Sequence, residues 1–276
     1  MSQISAAVVK ALRERTGLPM MDCKRALEEA AGDAEKAIEI LRKAGQKVME
    51  KRADRETAFG RIAIYQDFDG KKAAMVELLC ESAPVTKSPD FIDLAEDMVR
   101  QLAQGPGAQS AEELLTQPSA KEPGKTLKDR LTEVVNRIRE SFRVGRILRL
   151  DGSCGAYLHH DGSKAALVEV EGGDAELAKE ICMHVVAMRP KAMTRDELDP
   201  ALVTKEREIL TEMTRQSGKP ENIIPKIVEG RMKDFYAQNC LVDQPFVKEP
   251  GKSVQQFAGD HGMKLVRFVY WEVGKE

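Results

Sequence analysis

The chain has 276 residues, 32% of them charged, yet its formal net charge is only −2. That balance argues against a general binder of polyanions, which needs clustered excess positive charge, and a single Trp disfavours a stacking platform for single strands. No apolar run approaches the roughly 20 residues that span a bilayer, no signal peptide is apparent, and the five cysteines are odd in number with no Cys-x-x-Cys pair. These features predict a cytoplasmic protein with reduced thiols that binds neither nucleic acid directly nor membrane.

The first predicted helix covers residues 4 to 16, with Ile4, Val8 and Leu12 at spacing four, Ser5 as cap and Gly17 as left-handed stop. A second helix fits Met21 to Ala31, and a third runs from the N-cap Asp33 through Ala37, Ile38 and Leu41 to Gly45. Three short helices make a bundle whose core is small, which favours a recognition module leaning on something else. The loop from Thr16 to Lys24 sets Met20 and Met21 beside Asp22 and Lys24. Methionine suits an adaptable binding surface; the alternative is that Met20 or Met21 plugs the bundle core. Residues 46 to 59 are charged, lack an apolar stripe, and read as a linker or a solvated helix.

Ile62 and Ile64 then alternate as a strand into Asp69-Gly70, a tight-turn signal because Gly takes positive φ freely. Ala73 to Cys80 is a largely apolar strand, followed by a turn from Glu81 to Asp90. Ser88 as N-cap and Pro89 at the first helical position open a helix with Phe91, Leu94, Ala95, Met98, Val99 and Leu102 on one face. Residues 105 to 126 form a long connection with one helical turn at Ala111 to Leu115, and a helix from Leu127 to Glu140 follows.

Phe142 to Leu150 and Gly155 to His160 read as strands. The run from Asp161 to Val170 then matches Asp69 to Leu78 at seven of ten positions. Both copies predict hairpin, strand and helix, so the middle of the chain reads as a duplicated α/β module. Glu176 to Met188 is the second copy's helix, ended by Pro190. Glu197 to Ser217 and Pro220 to Asn239 read as two helices in a projecting antiparallel hairpin, with Pro225 delaying the start of the second. A short helix near Ser253 and a closing strand from Leu265 to Val273 complete the chain.

No catalytic or cofactor-binding constellation is apparent in the sequence. Gly124-Lys125-Thr126 and Gly251-Lys252-Ser253 resemble the end of a phosphate loop, but the Gly required five residues earlier is Ser119 or Phe246. His159, His160, Cys182 and His184 suggest a metal cluster only on paper, because Cys182 and His184 stand two apart on a predicted helix and point to different faces. No nucleophile–base arrangement appears. The chain therefore reads as a non-enzymatic binding protein without cofactor or metal.

Its motifs point to a family. Leu12-Arg13-Glu14-Arg15-Thr16-Gly17, followed by Met20-Met21-Asp22-Cys23-Lys24-Arg25-Ala26-Leu27, strongly resembles the N-terminal signature of the bacterial elongation factor Ts family. Met183-His184-Val185, Gln216-Ser217-Gly218-Lys219-Pro220, Val228-Glu229-Gly230-Arg231-Met232-Lys233 and Gln244-Pro245-Phe246-Val247 look like the same family, in family order across nearly the whole chain. The resemblance implies a guanine nucleotide exchange factor for the GTPase elongation factor Tu, in its GDP-bound and nucleotide-free states. The implied fold is α+β: an N-terminal three-helix bundle similar to ubiquitin-associated domains (1–55), a duplicated α/β core of two related subdomains with antiparallel sheets (56–141 and 142–276), and a helical hairpin inserted at about 196–239.

It also implies contacts. Arg13, Met20 and Met21, with Asp22 and Lys24, are expected on the GTPase domain, the turn Ser82-Ala83-Pro84-Val85 and the helix end at Ile138 and Arg139 on the nucleotide side, and His159, Val247 and Lys248 on the partner's third domain. Two departures stand out. The family's Thr-Asp-Phe-Val turn, whose Phe acts as a wedge, is Ser82-Ala83-Pro84-Val85 here, and the family's small Gly after Ile138 is Arg139. The altered turn supports an alternative, a chaperone or adaptor that binds elongation factor Tu with weak exchange activity.

Overall fold

The computed structural model describes residues 4–52 and 54–275. The chain is α+β, with small antiparallel sheets. Helix α1 (Ala6–Thr16) starts at Ser5, whose side chain accepts the Val8 N–H, and stops at Gly17 with φ 68°. Helices α2 (Met20–Glu29) and α3 (Ala34–Arg52) follow, and the three close over Val9, Leu12, Leu18, Cys23, Leu27 and Leu41. Val9 takes the inward place expected of Val8, which is exposed.

Helix α3 does not stop at Gly45. It continues to Arg52, so of the two readings open for the charged stretch 46–59 its first half follows the helical one. Gly45 marks a crossing: a Cβ there would collide with the Asn136 side-chain amide, on helix α6 (Leu127–Ile138), and Asn136 also donates to the Leu41 carbonyl at 3.2 Å. A residue that resembles a helix stop is used here for close approach.

Strands β1 (Phe59–Asp67) and β2 (Lys72–Cys80) pair antiparallel, and β3 (Phe142–Leu150) pairs on the other side of β2. The β1–β2 turn also differs from expectation: Lys71, with φ 53°, takes the left-handed position and Gly70 does not. Asp67 Oδ1 accepts the Gly70 N–H at 2.8 Å and the Phe68 carbonyl accepts the Lys71 N–H at 3.3 Å, closing a loop of the four residues between Asp67 and Lys72. Helix α4 (Pro89–Gln104) and α6 cover one face of this sheet, and Phe91, Leu94, Ala95, Met98, Val99 and Leu102 are all buried there. Between them lies the short α5 (Ala111–Thr116).

The second sheet orders β4 (Cys154–Leu158), β5 (Lys164–Glu171) and the closing strand β8 (Lys264–Glu272), with β5 in the centre and helix α7 (Ala175–Met188) packed on one face. The long pair α8 (Pro200–Gln216) and α9 (Ile224–Asn239) has its own seam of Ile224, Val228 and Met232 against Val203, Leu210 and Phe235. Pro225 sits in the first turn of α9, as its missing N–H allows. A small hairpin of β6 (Pro245–Phe246) and β7 (Glu249–Ser253) leads to α10 (Val254–Asp260). The two Gly-Lys-Thr/Ser tripeptides prove to be helix starts: Thr126 and Ser253 are N-caps in capping boxes with Asp129 and Gln256.

The open faces of the two sheets meet. Ile62, Ala73, Met75 and Leu150 from the first form one core with Cys154, Ala165, Leu167 and Trp271 from the second. Ile62 N–H donates to the Gly162 carbonyl at 2.8 Å, and Gln66 Nε2 to the Cys154 carbonyl at 2.8 Å, so backbone joins the sheets as well as side chains.

The long connection after α5 is ordered by a buried ionic network. Fully buried Asp97 accepts from Ser119 Oγ (2.6 Å) and the Lys121 N–H (3.1 Å), and Arg130 Nε lies 3.4 Å from it. Arg130 also pairs with Asp93 (2.6 Å) and Glu122. Removing one member of a buried charged set leaves its partners uncompensated. We expect Asp97→Ala to cost about 3 kcal/mol of unfolding free energy in a denaturant titration; a cost below about 1 kcal/mol would mean the network is dispensable.

Candidate functional site

The bundle presents its loop outward. Pro19 precedes α2, so Met20 and Met21 open the helix and stand 48% and 62% exposed, while Leu18 and Cys23 turn into the core. Neither methionine plugs the bundle. Arg13 and Lys24 are also exposed, and Lys24 lies 3.8 Å from Glu28. Asp22 is half-buried and pairs with Arg25 on its own helix and with Arg139 beyond the end of α6.

After β2 the chain enters a 3-10 turn, Ala83–Lys87, that leaves Ala83 and Pro84 exposed and buries Val85 beneath α4. Ser82 is extended (φ −131°) and held by one carboxylate: Glu140 Oε2 accepts its N–H at 3.0 Å and Glu140 Oε1 its hydroxyl at 2.6 Å. The relation is reciprocal, since Glu81 Oε1 accepts the Ser141 N–H at 2.6 Å. Burial opposes ionisation of Glu81, but the Ser141 N–H and the Arg55 guanidinium outweigh it and hold its pKa below the ordinary value. Ser141 Oγ then donates to the Arg52 carbonyl at 2.6 Å, satisfying an end carbonyl of α3.

Ile138 ends α6 half-buried against the first core. Arg139 caps the helix in the left-handed region at φ 64°, a conformation that costs a non-glycine residue about 1 kcal/mol. Its ion pair with Asp22 gives that strained position a partner on the bundle. The structure thus brings the bundle loop, the turn after β2 and the end of α6 together through direct side-chain links.

The other expected residues lie on the second sheet's side. His159 follows β4, with Nδ1 3.0 Å from Asp161 Oδ1 and its ring 4.3 Å from that of His160. Burial disfavours charge on Asp161, yet the Ser163 N–H and the His159 ring overcome it and push its pKa down. Val247 is exposed at the β6–β7 hairpin, and Lys248 reaches Glu180 on α7 at 2.8 Å. Among the described residues no hydrogen bond or ion pair joins His159 to Val247 or Lys248.

Sequence reasoning missed the groups beneath these surfaces. His184, dismissed above as a metal ligand, is fully buried: its Nδ1 accepts the Val247 N–H at 3.3 Å, so Nε2 carries the proton and faces Gln244 Oε1 at 2.9 Å. Gln244 Nε2 in turn donates to the Gln238 carbonyl at 3.0 Å, and Phe246 stacks on Phe257 at 4.1 Å. Glu81, Glu140 and Ser141 were missed as well. Their only sequence trace is a Glu-Ser dipeptide that occurs at both 81–82 and 140–141, and the pairing shows only once β2 and β3 lie side by side with Cys80 opposite Phe142. All five cysteines are buried; burial pushes the Cys80 and Cys240 thiols up to about 11 and Cys154 to about 12. Among the described residues no group of three His, Cys, Asp or Glu is arranged to hold a metal ion, and no helix is long and apolar enough to cross a membrane.

Residues 81–275 match the sequence model of a family described as Elongation factor TS. Over 276 residues the chain is 42% identical to the elongation factor Ts of Methylococcus capsulatus, covering 99% of this chain and 92% of that protein. It is 40% identical over 277 residues to that of Alkalilimnicola ehrlichii, with 99% and 92% covered. Against that of Aquifex aeolicus the identity is 38% over 288 residues, with 98% of each covered.

The His184 site has a pH signature. Burial lowers its pKa below the ordinary 6.5, outweighing the Gln244 hydrogen bond. The native state keeps the ring neutral while the unfolded chain takes up a proton, so this contribution to stability is complete above the unfolded value and is lost as pH falls toward and through the folded one. The melting temperature should fall between about pH 7.5 and about pH 5.5, and less steeply for His184→Asn. Equal slopes for the two proteins would remove His184 from the titration.

Proposed function

The chain belongs to the elongation factor Ts family, and from that premise we infer that it is a guanine nucleotide exchange factor for elongation factor Tu, binding the GDP-loaded GTPase and promoting GDP release during translation elongation. The observation that carries this reading is similarity along the entire chain, bundle and both sheets included. The coupling is thermodynamic: a factor that binds the empty GTPase better than the loaded one must weaken nucleotide binding by the same factor. A thousandfold faster release needs about 4 kcal/mol of differential contact, which a few buried anchors supply. Such a factor needs no catalytic group, nucleotide or metal of its own.

The partner surface in this proposal has two parts. Arg13, Met20, Met21, Asp22 and Lys24, with the turn Ser82 to Val85 and the helix end at Ile138 and Arg139, face the GTPase domain; His159, Val247 and Lys248 face another domain of the same partner. The outward methionines and the links joining the first three elements support the grouping. At the turn, Pro84 is a small rigid substitute for the family's aromatic wedge, and more of the coupling comes from the bundle and the second sheet.

The proposed architecture is a ubiquitin-associated-like bundle (1–55) followed by two copies of one module, expected at 56–141 and 142–276; because β3 (Phe142–Leu150) pairs with β2 in the first sheet, the division falls after Leu150 instead, and the second copy carries the hairpin at about 196–239. Matching details support the duplication. Ala73 and Met75 in one copy and Ala165 and Leu167 in the other enter the shared inter-sheet core. Each centre strand also carries a glutamate, Glu77 or Glu169, beside an irregularity in pairing, and each is matched by an arginine on the neighbouring strand, Arg146 or Arg267.

The test is release of fluorescent GDP from elongation factor Tu with the protein at substoichiometric ratio. We expect turnover, each molecule emptying many GTPases; tight binding without faster release would instead favour the adaptor reading that the altered turn suggests. Met20→Ala combined with Met21→Ala should weaken the complex by about 100-fold, two anchors of ~1.4 kcal/mol each. Because both side chains are exposed, the melting temperature should stay unchanged, which separates lost contact from lost fold.

A further inference from the structure

Residues 139 to 141 each reach a different element. Arg139 pairs with Asp22 of helix α2. Glu140 holds both donors of Ser82 in the turn after β2. Ser141 binds Glu81 through its N–H and the last residue of α3, Arg52, through its hydroxyl. Glu81 closes the knot, with Arg55 at 3.1 Å and Arg52 at 3.9 Å. A five-residue 3-10 turn has little stiffness of its own, yet Ser82, the residue that leads into it, is clamped by two charge-assisted hydrogen bonds to one carboxylate.

This arrangement matters for coupling. Contact at the bundle can shift the nucleotide side of a partner only if the parts of the factor between the two contacts do not yield, because any slack absorbs the differential energy. Resting on the exchange reading above, we propose that Glu140 is a positioning residue: it locks the turn at Ser82 to the end of α6 and, with its neighbours Arg139 and Ser141, to the bundle, so that both surfaces load the partner as one rigid unit. Glu140 acts through Ser82 and touches no reacting group.

A purely structural clamp predicts lost stability and nothing more, whereas a positioning clamp predicts a kinetic split. In stopped-flow release of fluorescent GDP, Glu140→Ala should lower the saturating release rate by about tenfold, the worth of one charge-assisted hydrogen bond. The factor concentration giving half the maximal rate should move by less than about threefold. Glu140→Gln keeps an acceptor for the Ser82 N–H, so it should fall between. A second readout needs no partner: with the native cysteines buried, spin labels on Glu39→Cys and Lys87→Cys report the distance between bundle and turn. It should be narrowly distributed in the parent and broadened by Glu140→Ala or, should that variant not fold, by Glu140→Gln. An unbroadened distance, an unchanged saturating rate, or a loss confined to the half-maximal concentration overturns the proposal. A parent protein that releases no GDP would sink the exchange reading itself, and the label distances would still decide whether Glu140 makes the joint rigid.

Discussion

Everything in this molecule rests on two three-stranded sheets sharing one apolar layer. Because each sheet also carries helices on its other face, β2 and β5 are buried on both sides, which is why Ala73–Cys80 and Ala165–Val170 are nearly continuous apolar runs. Alternation then divides the work: Ala73, Met75, Ala165 and Leu167 fill the space between sheets, while Ala74, Val76, Ala166 and Val168 meet the helices. Arg146 closes the layer at one edge. Its guanidinium pairs with Glu77 at 2.8 and 3.0 Å, donates to the Glu272 carbonyl of the other sheet at 2.9 Å, and lies 4.8 Å over the Trp271 ring. A buried carboxylate is tolerable only with such a partner, so the ionic contact and the sheet–sheet contact are mutually dependent.

With the strand interiors committed to packing, the exposed turns and loops hang from their ends. The antiparallel register that sets Cys80 against Phe142 also sets Glu81-Ser82 beside Glu140-Ser141, and the two dipeptides exchange carboxylate hydrogen bonds. The end of α3 is tied into the same place through the Arg52 carbonyl. Higher along α3, the bare Cα of Gly45 lets the bundle seat against Asn136 of α6, with Arg42 paired to Asp129. The bundle's own core is small, and this docking supplies what its size withholds. On the second sheet, the neutral ring of His184 does similar service by fixing the backbone at Val247 from below.

Local chemistry was legible wherever one stretch of chain decided its own conformation. The stripe from Phe91 to Leu102, the Ser5 and Asp33 caps, the stop at Gly17 and the delayed start at Pro225 all act within a few residues of themselves. Glycines misled where their role depended on something distant. Gly45 looked like a helix end but is a crossing point, and Asp69-Gly70 signalled a tight turn on a positive-φ glycine although the left-handed residue is Lys71. Arg139 is the converse, a bulky residue in a left-handed cap, held opposite an aspartate from another part of the chain.

Periodicity, capping and short motifs are properties of neighbouring residues, and they make the α+β class, the apolar centre strands, most helix bounds and the family signature readable along the chain. Long-range contacts, by contrast, stack the two sheets, turn Met20 and Met21 outward while Leu18 goes in, and join Glu81, Glu140 and Ser141 to the bundle. The reason is separation along the chain. Ser82 and Glu140, like His184 and Val247, are far apart in sequence and meet only after the core has folded, and neither pair leaves a periodic trace that a reading of one strand or one helix could register.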